Sequence, residues 1–197
     1  MKLFFASHNL DKKKEIGYIL SSSNFEVLYI DDFPLYSDVD ETGLTLRDNS
    51  LLKAEAGFDF TKLPTFAEDT GLEVDALKGE PGVFTSRYAG ERATYDDNCR
   101  LLLKNMENIP ENERTASFKT VLAFKEKGEV YFFEGTCKGR IAKEKSGAGG
   151  FGYDPVFIPE GYNETFAEID REIKNRISHR ALAVNKFCEF LKIHFGA

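Results

Sequence analysis

Short apolar runs separated by polar, turn-forming stretches set the rhythm of this chain, and their spacing predicts alternating strands and helices. Lys2 to Ala6, apolar from Leu3 onward, reads as a short buried strand. Lys12 to Leu20 follows as a helix, so the chain opens strand, loop, helix, with Ser7 to Asp11 as the loop. Phe25 to Ile30 predicts the second strand, and Asp38-Val39-Asp40-Glu41-Thr42-Gly43 is an acidic turn. Thr45, with Asp48 after it, has the pattern of a capping box, in which each side chain satisfies the other's backbone amide, and it opens a helix to about Phe60.

Thr65 to Ala67 reads as a short strand ending directly in Glu68-Asp69, where the two carboxylates are expected to converge at the break. Gly79 to Gly82, with Pro81, is a turn. Thr94 and Asp97 repeat the capping pattern before Tyr95, Cys99, Leu102 and Met106, an apolar stripe at helical spacing that reads as core. Ser117 to Lys125 and Glu129 to Gly135 flank Lys127-Gly128, a hairpin signal, and apolar residues on both faces of each arm predict a central position in a sheet. The last helix is expected from His179 to Phe195, with Val184, Phe187, Leu191 and Phe195 inward. No internal repeat or linker interrupts residues 1–197, which read as one mixed α/β domain with two lobes around a cleft.

Composition narrows the class. At 197 residues, with 42% hydrophobic residues and 18 phenylalanines, the chain can fill a substantial core. A net charge of -7 argues against broad nucleic-acid binding, while local lysines can still gather a small anion. Cys99, Cys137 and Cys188 are scattered and odd in number, which fits reduced thiols rather than disulfides or a zinc site. The apolar run at the N-terminus is too short for a signal peptide, and no segment reaches membrane-spanning length. The expectation is a cytoplasmic protein with no membrane partner.

Candidate chemistry lies where local rules are broken. Lys12, Lys13 and Lys14 crowd a helix start, where the dipole disfavours cations, and His179 and Arg180 repeat this after Ser178, the expected N-cap. Such starts make sense facing an anion such as phosphate. Ser7, Asn9 and Lys12 are therefore assigned to a ligand, Lys13 and Lys14 to the surface. Glu68 and Asp69, with Glu41, offer the hard oxygen ligands that suit magnesium beside phosphate. Gly149-Gly150-Phe151-Gly152-Tyr153-Asp154-Pro155 suits a planar ligand approached closely by backbone, with Phe151 or Tyr153 stacking on it; a purely structural turn uses the same residues. His179, beside Arg180 and after Lys174, is a candidate donor to phosphate or to a base carbonyl. P-loop and nucleophile-elbow signatures are absent from the sequence.

Taken in order, Ser7-x-Asn9-x-x-Lys12, Glu41-Thr42-Gly43, Asn49, Lys53-Ala54, Glu68-Asp69-Thr70-Gly71-Leu72, Pro81-Gly82-Val83, Ser86-Arg87-Tyr88, the glycine-rich loop and Ile177-Ser178-His179-Arg180 resemble the inosine triphosphate pyrophosphatases over nearly the whole length. The resemblance implies an elongated, two-lobed α/β fold, with a mixed sheet flanked by helices and a central substrate cleft, usually dimeric. It implies magnesium-dependent hydrolysis of non-standard purine nucleoside triphosphates to the monophosphate and pyrophosphate. Carried over, Ser7, His8, Asn9, Leu10, Asp11 and Lys12 would hold the triphosphate, with Lys53 adding charge and Thr70 touching substrate. Glu41 and Asp69, with Glu68 as a further candidate, would bind Mg2+, and Asp69 would accept the proton. Phe151, Gly152, Tyr153, Asp154, Lys174, His179 and Arg180 would surround base, sugar and phosphates. Two positions depart from the family pattern: His8 stands where small residues are common, and Glu68 where aspartate is frequent. Two other functions compete: a pyrophosphatase for modified pyrimidine or methylated nucleotides, and a purine nucleotide sensor without catalysis.

Overall fold

The structure, a computed structural model, describes residues 1–21, 25–37 and 39–196. Its described residues form seven strands and five α-helices in one α/β arrangement: β1 (Lys2–Phe5), α1 (Leu10–Leu20), β2 (Glu26–Tyr29), α2 (Leu46–Thr61), β3 (Thr65–Val74), β4 (Pro81–Gly82), α3 (Tyr95–Asn105), β5 (Thr115–Glu126), β6 (Glu129–Ile141), β7 (Phe157–Pro159), α4 (Arg171–Ile177) and α5 (His179–Phe195). The strand order is β2-β1-β3-β5-β6-β7, with β4 paired to β3. β1 is parallel to both β2 and β3, whereas β4 and β7 are antiparallel to their neighbours, so the sheet is mixed. As the sequence predicts, β5 and β6 are interior strands.

The chain divides into two compact units. The first comprises residues 1–69, 120–135 and 179–197; the second comprises residues 70–119 and 136–178. In the first, strand alternation sorts side chains into two layers. Leu3 and Phe5 of β1, Phe66 of β3, and Leu122 and Phe124 of β5 pack with Ile16 and Leu20 of α1 and Val184, Phe187 and Leu191 of α5. The intervening residues Phe4, Ala6, Ala67 and Ala123 pack with Ala54 of α2 on the opposite face. Close approach there depends on Gly57, where a Cβ would lie 2.7 Å from Thr65 Cγ2. The second unit has its own core, including Leu72, Leu102, Met106, Phe118, Phe157 and Phe166.

Local signals set several element ends. Thr45 Oγ1 accepts the Asp48 amide at 3.1 Å and Asp48 Oδ2 accepts the Thr45 amide at 3.1 Å, which completes the expected capping box of α2. Thr94 and Asp97 do the same for α3. Lys127 and Gly128 turn the hairpin with φ of 39° and 94°, left-handed values that glycine tolerates best.

Other expectations need correction. β3 does not end at Ala67 but runs through Glu68 and Asp69 to Val74. The hairpin arms are longer than expected, and α4 was not anticipated, because a seven-residue helix leaves almost no periodic signal. Tyr95 heads the α3 stripe yet is 44% exposed, and Phe195 is only partly buried. Asp38 of the acidic turn lies outside the described residues. The three cysteines are free; Cys99 and Cys137 are buried and Cys188 is half-buried.

Candidate active site

The loop between β1 and α1 is organised by its own side chains. Asn9 is the N-cap of α1: its Oδ1 accepts the amides of Asp11 and Lys12, each at 3.0 Å. The Ser7 hydroxyl accepts the Asn9 amide at 3.3 Å. His8 and Leu10 are exposed beside them. Of the three lysines, Lys13 pairs with Asp31 and lies over the Tyr29 ring, while Lys14 pairs with Asp11 at 3.4 Å, so both serve the surface as the sequence suggests. Lys12 turns inward, its ammonium 3.5 Å from Glu68. Burial lowers its pKa, and the Glu68 charge opposes that effect.

Because Glu68 and Asp69 both lie within β3, their side chains leave opposite faces of the sheet, and the convergence expected at a strand end does not occur. Glu68 shares the Phe66 face, the layer of α1 and α5. There Arg180, 2% exposed, donates from Nε to Glu68 Oε1 at 2.8 Å and from Nη1 to Glu15 Oε2 at 2.5 Å. Burial alone would raise the Glu68 pKa, but the charges of Arg180 and Lys12 overcome it and hold the carboxyl well below the usual range. Burial works against the Arg180 charge, yet Glu68 and Glu15 push its pKa upward overall. Arg180 and its neighbour His179 open α5, which sits directly on β6. At Gly135 a Cβ would lie 2.0 Å from the His179 carbonyl oxygen, so only glycine fits.

Asp69 shares the Ala67 face, the layer of α2. Lys53, one turn beyond Asn49 on that helix, donates to Asp69 Oδ1 at 3.2 Å and to Glu41 Oε1 at 2.7 Å. Asn49 Nδ2 donates to Asp69 Oδ2 at 3.2 Å. Burial disfavours the Lys53 charge, but Asp69 and Glu41 outweigh it and raise the pKa. Glu41 and Asp69 thus already share one cation. Among the described residues no group of three or more His, Cys, Asp or Glu could hold a metal by itself. Two carboxylates do fit magnesium, which commonly takes one or two from protein and completes its shell with water and phosphate oxygens.

The second unit carries the glycine-rich loop. Asp154 is its organiser: Oδ2 accepts the Phe151 amide at 2.7 Å and the Lys174 ammonium at 2.6 Å. A Cβ at Gly150 would lie 2.1 Å from that same oxygen, and Gly150 has a φ of 69°, so the loop requires glycine there. The Lys174 ammonium lies 5.0 Å from the centre of the Phe151 ring. Tyr153 belongs to the unit's core, its hydroxyl donating to the Thr85 carbonyl at 3.0 Å, and burial pushes its pKa up. Phe151 is half-buried and is the aromatic of the two with surface to offer; Gly152 and Thr70 are also partly exposed.

The structure therefore brings together Lys12, Glu68 and Arg180 on one face of the first unit's sheet, Glu41, Lys53 and Asp69 on the other, and Phe151, Asp154 and Lys174 in the second unit. Sequence reasoning passed over Glu15 as a member of the Arg180 cluster. The available signal was its position three residues after Lys12, on the same helix face and in an apolar layer.

Comparison with known proteins extends this picture. The model of the Ham1 family matches residues 3–190. A protein of Porphyromonas gingivalis named dITP/XTP pyrophosphatase is 49% identical over 190 residues, 96% of this chain and 97% of its own length. One of the same name from Desulforamulus reducens is 45% identical over 192 residues, 97% of this chain and 96% of its own. The solved structure of a HAM1 protein from Coxiella burnetii superposes with a TM-score of 0.90 at 35% identity, covering 98% of this chain and 99% of that one.

Proposed function

The chain belongs to the Ham1 family, and from that membership we infer that it is a dITP/XTP pyrophosphatase, hydrolysing non-standard purine nucleoside triphosphates to the monophosphate and pyrophosphate. The observation that carries the reading beyond the name is the pair Glu41 and Asp69 gathered on the Lys53 ammonium, at 2.7 and 3.2 Å. An acid held in place by a buried cation suits the orientation of a water beside phosphate.

In this reading the residues Ser7 to Lys12 hold the triphosphate, and Glu41 and Asp69 hold Mg2+. When bound, the ion supplies positive charge to the triphosphate. Asp69 orients a water and takes its proton as the oxygen attacks the α-phosphorus. The bond from that phosphorus to the bridging oxygen breaks and pyrophosphate leaves, its growing charge met by Lys12 and Lys53. Glu68 holds Lys12 in place and opposes the loss of its charge on burial. Thr70 and Gly152 line the substrate, Phe151 stacks on the base, Tyr153 anchors the loop in the core, and Asp154 orders the loop through the Phe151 amide and Lys174. Hypoxanthine and xanthine carry a C6 carbonyl that accepts from donors such as His179, Arg180, Lys174 or loop amides. The adenine amino group leaves such donors unpaired, a mismatch that can discriminate by orders of magnitude.

The protein is further taken to act as a cytoplasmic homodimer without nucleic-acid or membrane partners. The net charge of -7 supports the first exclusion. Among the described residues no helix is long and apolar enough to cross a membrane. Light scattering on the purified protein reads the dimer directly.

The test of function is pyrophosphate release from dITP, XTP, ITP, ATP and GTP, with magnesium and with EDTA. Release from the first three only, abolished by EDTA, is expected. Orthophosphate as the first product would mean attack at the γ-phosphorus and overturn the mechanism. Turnover of modified pyrimidine triphosphates instead would point to the competing pyrophosphatase, and tight binding without product to a sensor.

A further inference from the structure

Asn49 stands in the first turn of α2, where its backbone amide already donates to Thr45 O at 3.1 Å. Asparagine is a poor helix former because its side chain competes for backbone groups, and this one is fully buried. Both ends of its carboxamide are engaged across elements. Oδ1 accepts the Gly43 amide at 2.8 Å, and Nδ2 donates to Asp69 Oδ2 at 3.2 Å. A backbone amide can only donate and a carboxylate can only accept, so the carboxamide has one permitted orientation.

These bonds close a ring. From Asn49 the path runs to Gly43, along the turn to Glu41, from the Glu41 carboxylate to Lys53, from Lys53 to Asp69 and back to Asn49. Lys53 and Asn49 are one turn apart on a single helix face, so α2 is the rigid side of the ring. Gly43 is the tight side: a Cβ there would lie 2.5 Å from Asn49 Oδ1 and 2.6 Å from Asp48 Cβ.

We propose that Asn49 is a positioning residue for the divalent cation, tying the turn that carries Glu41 to Asp69 and so setting the spacing of the two carboxylates. The inference rests on the assignment of those carboxylates to the metal. Loss of a side chain that orients metal ligands typically costs about 10–100-fold in metal affinity. Asn49→Ala removes both bonds, Asn49→Asp keeps the acceptor for Gly43 but sets a carboxylate against Asp69, and Gly43→Ala forces the turn away from an intact Asn49.

The experiment measures Mn2+ binding by electron paramagnetic resonance and Mg2+ binding by calorimetry on each folded variant, alongside thermal stability. Ser50→Ala is the control: Ser50 is buried in the same helix but donates to the Arg47 carbonyl at 2.9 Å. All three ring variants should weaken Mn2+ about tenfold or more. The double variant Gly43→Ala/Asn49→Ala should be no worse than the poorer single one, and Ser50→Ala should bind as the wild type does. If Asn49→Ala does not fold, Asn49→Asp and Gly43→Ala carry the same comparison. Mn2+ affinity within twofold of wild type in the folded ring variants, or an equal loss in Ser50→Ala, would overturn the inference while leaving the proposed reaction intact. Wild-type protein that binds no Mn2+ and releases pyrophosphate in EDTA would overturn the metal assignment and the inference with it.

Discussion

Replacing Asp69 by asparagine removes the charge facing Lys53 but keeps the side chain's size and one acceptor. Lys53 retains Glu41, at 2.7 Å, so the buried ammonium stays paired. Turnover should therefore fall by at least about 100-fold, as expected for loss of a general base, while folding and nucleotide binding persist. Pyrophosphate release and nucleotide calorimetry on Asp69→Asn separate these effects, and near-normal turnover would sink the assignment. Glu68→Gln should behave in the opposite way. It removes one of the charged partners of Arg180, which is 2% exposed, and leaves Glu15 in place. Breaking a buried pair by removing one partner costs roughly 3–5 kcal/mol, so this variant should show a large drop in melting temperature. Two acids adjacent in sequence thus divide into a chemical one and a structural one.

At the scale of elements, the placement of α5 depends on Gly135. The atoms that an added methyl would meet are the His179 carbonyl oxygen at 2.0 Å and the Ala183 nitrogen at 2.6 Å, both backbone, so neither can swing aside. Gly135→Ala must push the first turn of α5 off the sheet and carry Arg180 away from Glu68. Overpacking of this kind costs about 1–3 kcal/mol, and activity should fall together with melting temperature. Gly128→Ala, which meets nothing within 4 Å, should spare activity despite the strain at its φ of 94°. The same elements explain what the sequence reveals. The Thr45–Asp48 and Thr94–Asp97 boxes and the Lys127-Gly128 turn were legible because the bonds that make them are local. The length of β3 was not. Glu-Asp-Thr-Gly reads as a turn, and what allows Glu68 to be buried mid-strand is Arg180, a residue 112 positions away. The motif marks Asn9 as a ligand contact, and its place before a helix is also an N-cap signal: the side chain caps α1. The acidic turn offers Glu41 and the resemblance adds Lys53, but the bond between them is tertiary and leaves no mark in the pattern.

Across the whole molecule, buried charges make stability depend on pH at both ends. The folded pKa of Glu68 lies below its unfolded value, so its contribution is present above that value and is lost as pH falls below about 4.3, the ordinary glutamate pKa. The folded pKa of Lys53 lies above its unfolded value, so its contribution is complete below about 10.4 and is lost as pH rises beyond. Lys12 acts with the opposite sign, because burial lowers its pKa and deprotonation relieves the cost of enclosing it. Urea unfolding from acid to alkaline pH should therefore show a plateau with an acid limb, and that limb should be shallower in Glu68→Gln. An acid limb of equal steepness in both proteins would assign acid unfolding to other carboxylates.

The passage of β3 through Glu68 and Asp69 also bears on what kind of genetic change the protein can survive. A point substitution at either acid alters one partner and leaves the other in its layer. Deleting a single residue between Thr65 and Ala67 while β1 keeps its grip on the strand would turn every later side chain over. Glutamate would then take the place of Ala67, aspartate, one methylene shorter, would meet Arg180, and Thr70 would stand where Asp69 meets Lys53 and Asn49. Both acids would survive in the gene product, and neither would stand where its partners are. Along this strand reading frame matters at the level of residues as well as nucleotides, and drift by substitution is open where drift by insertion or deletion is closed.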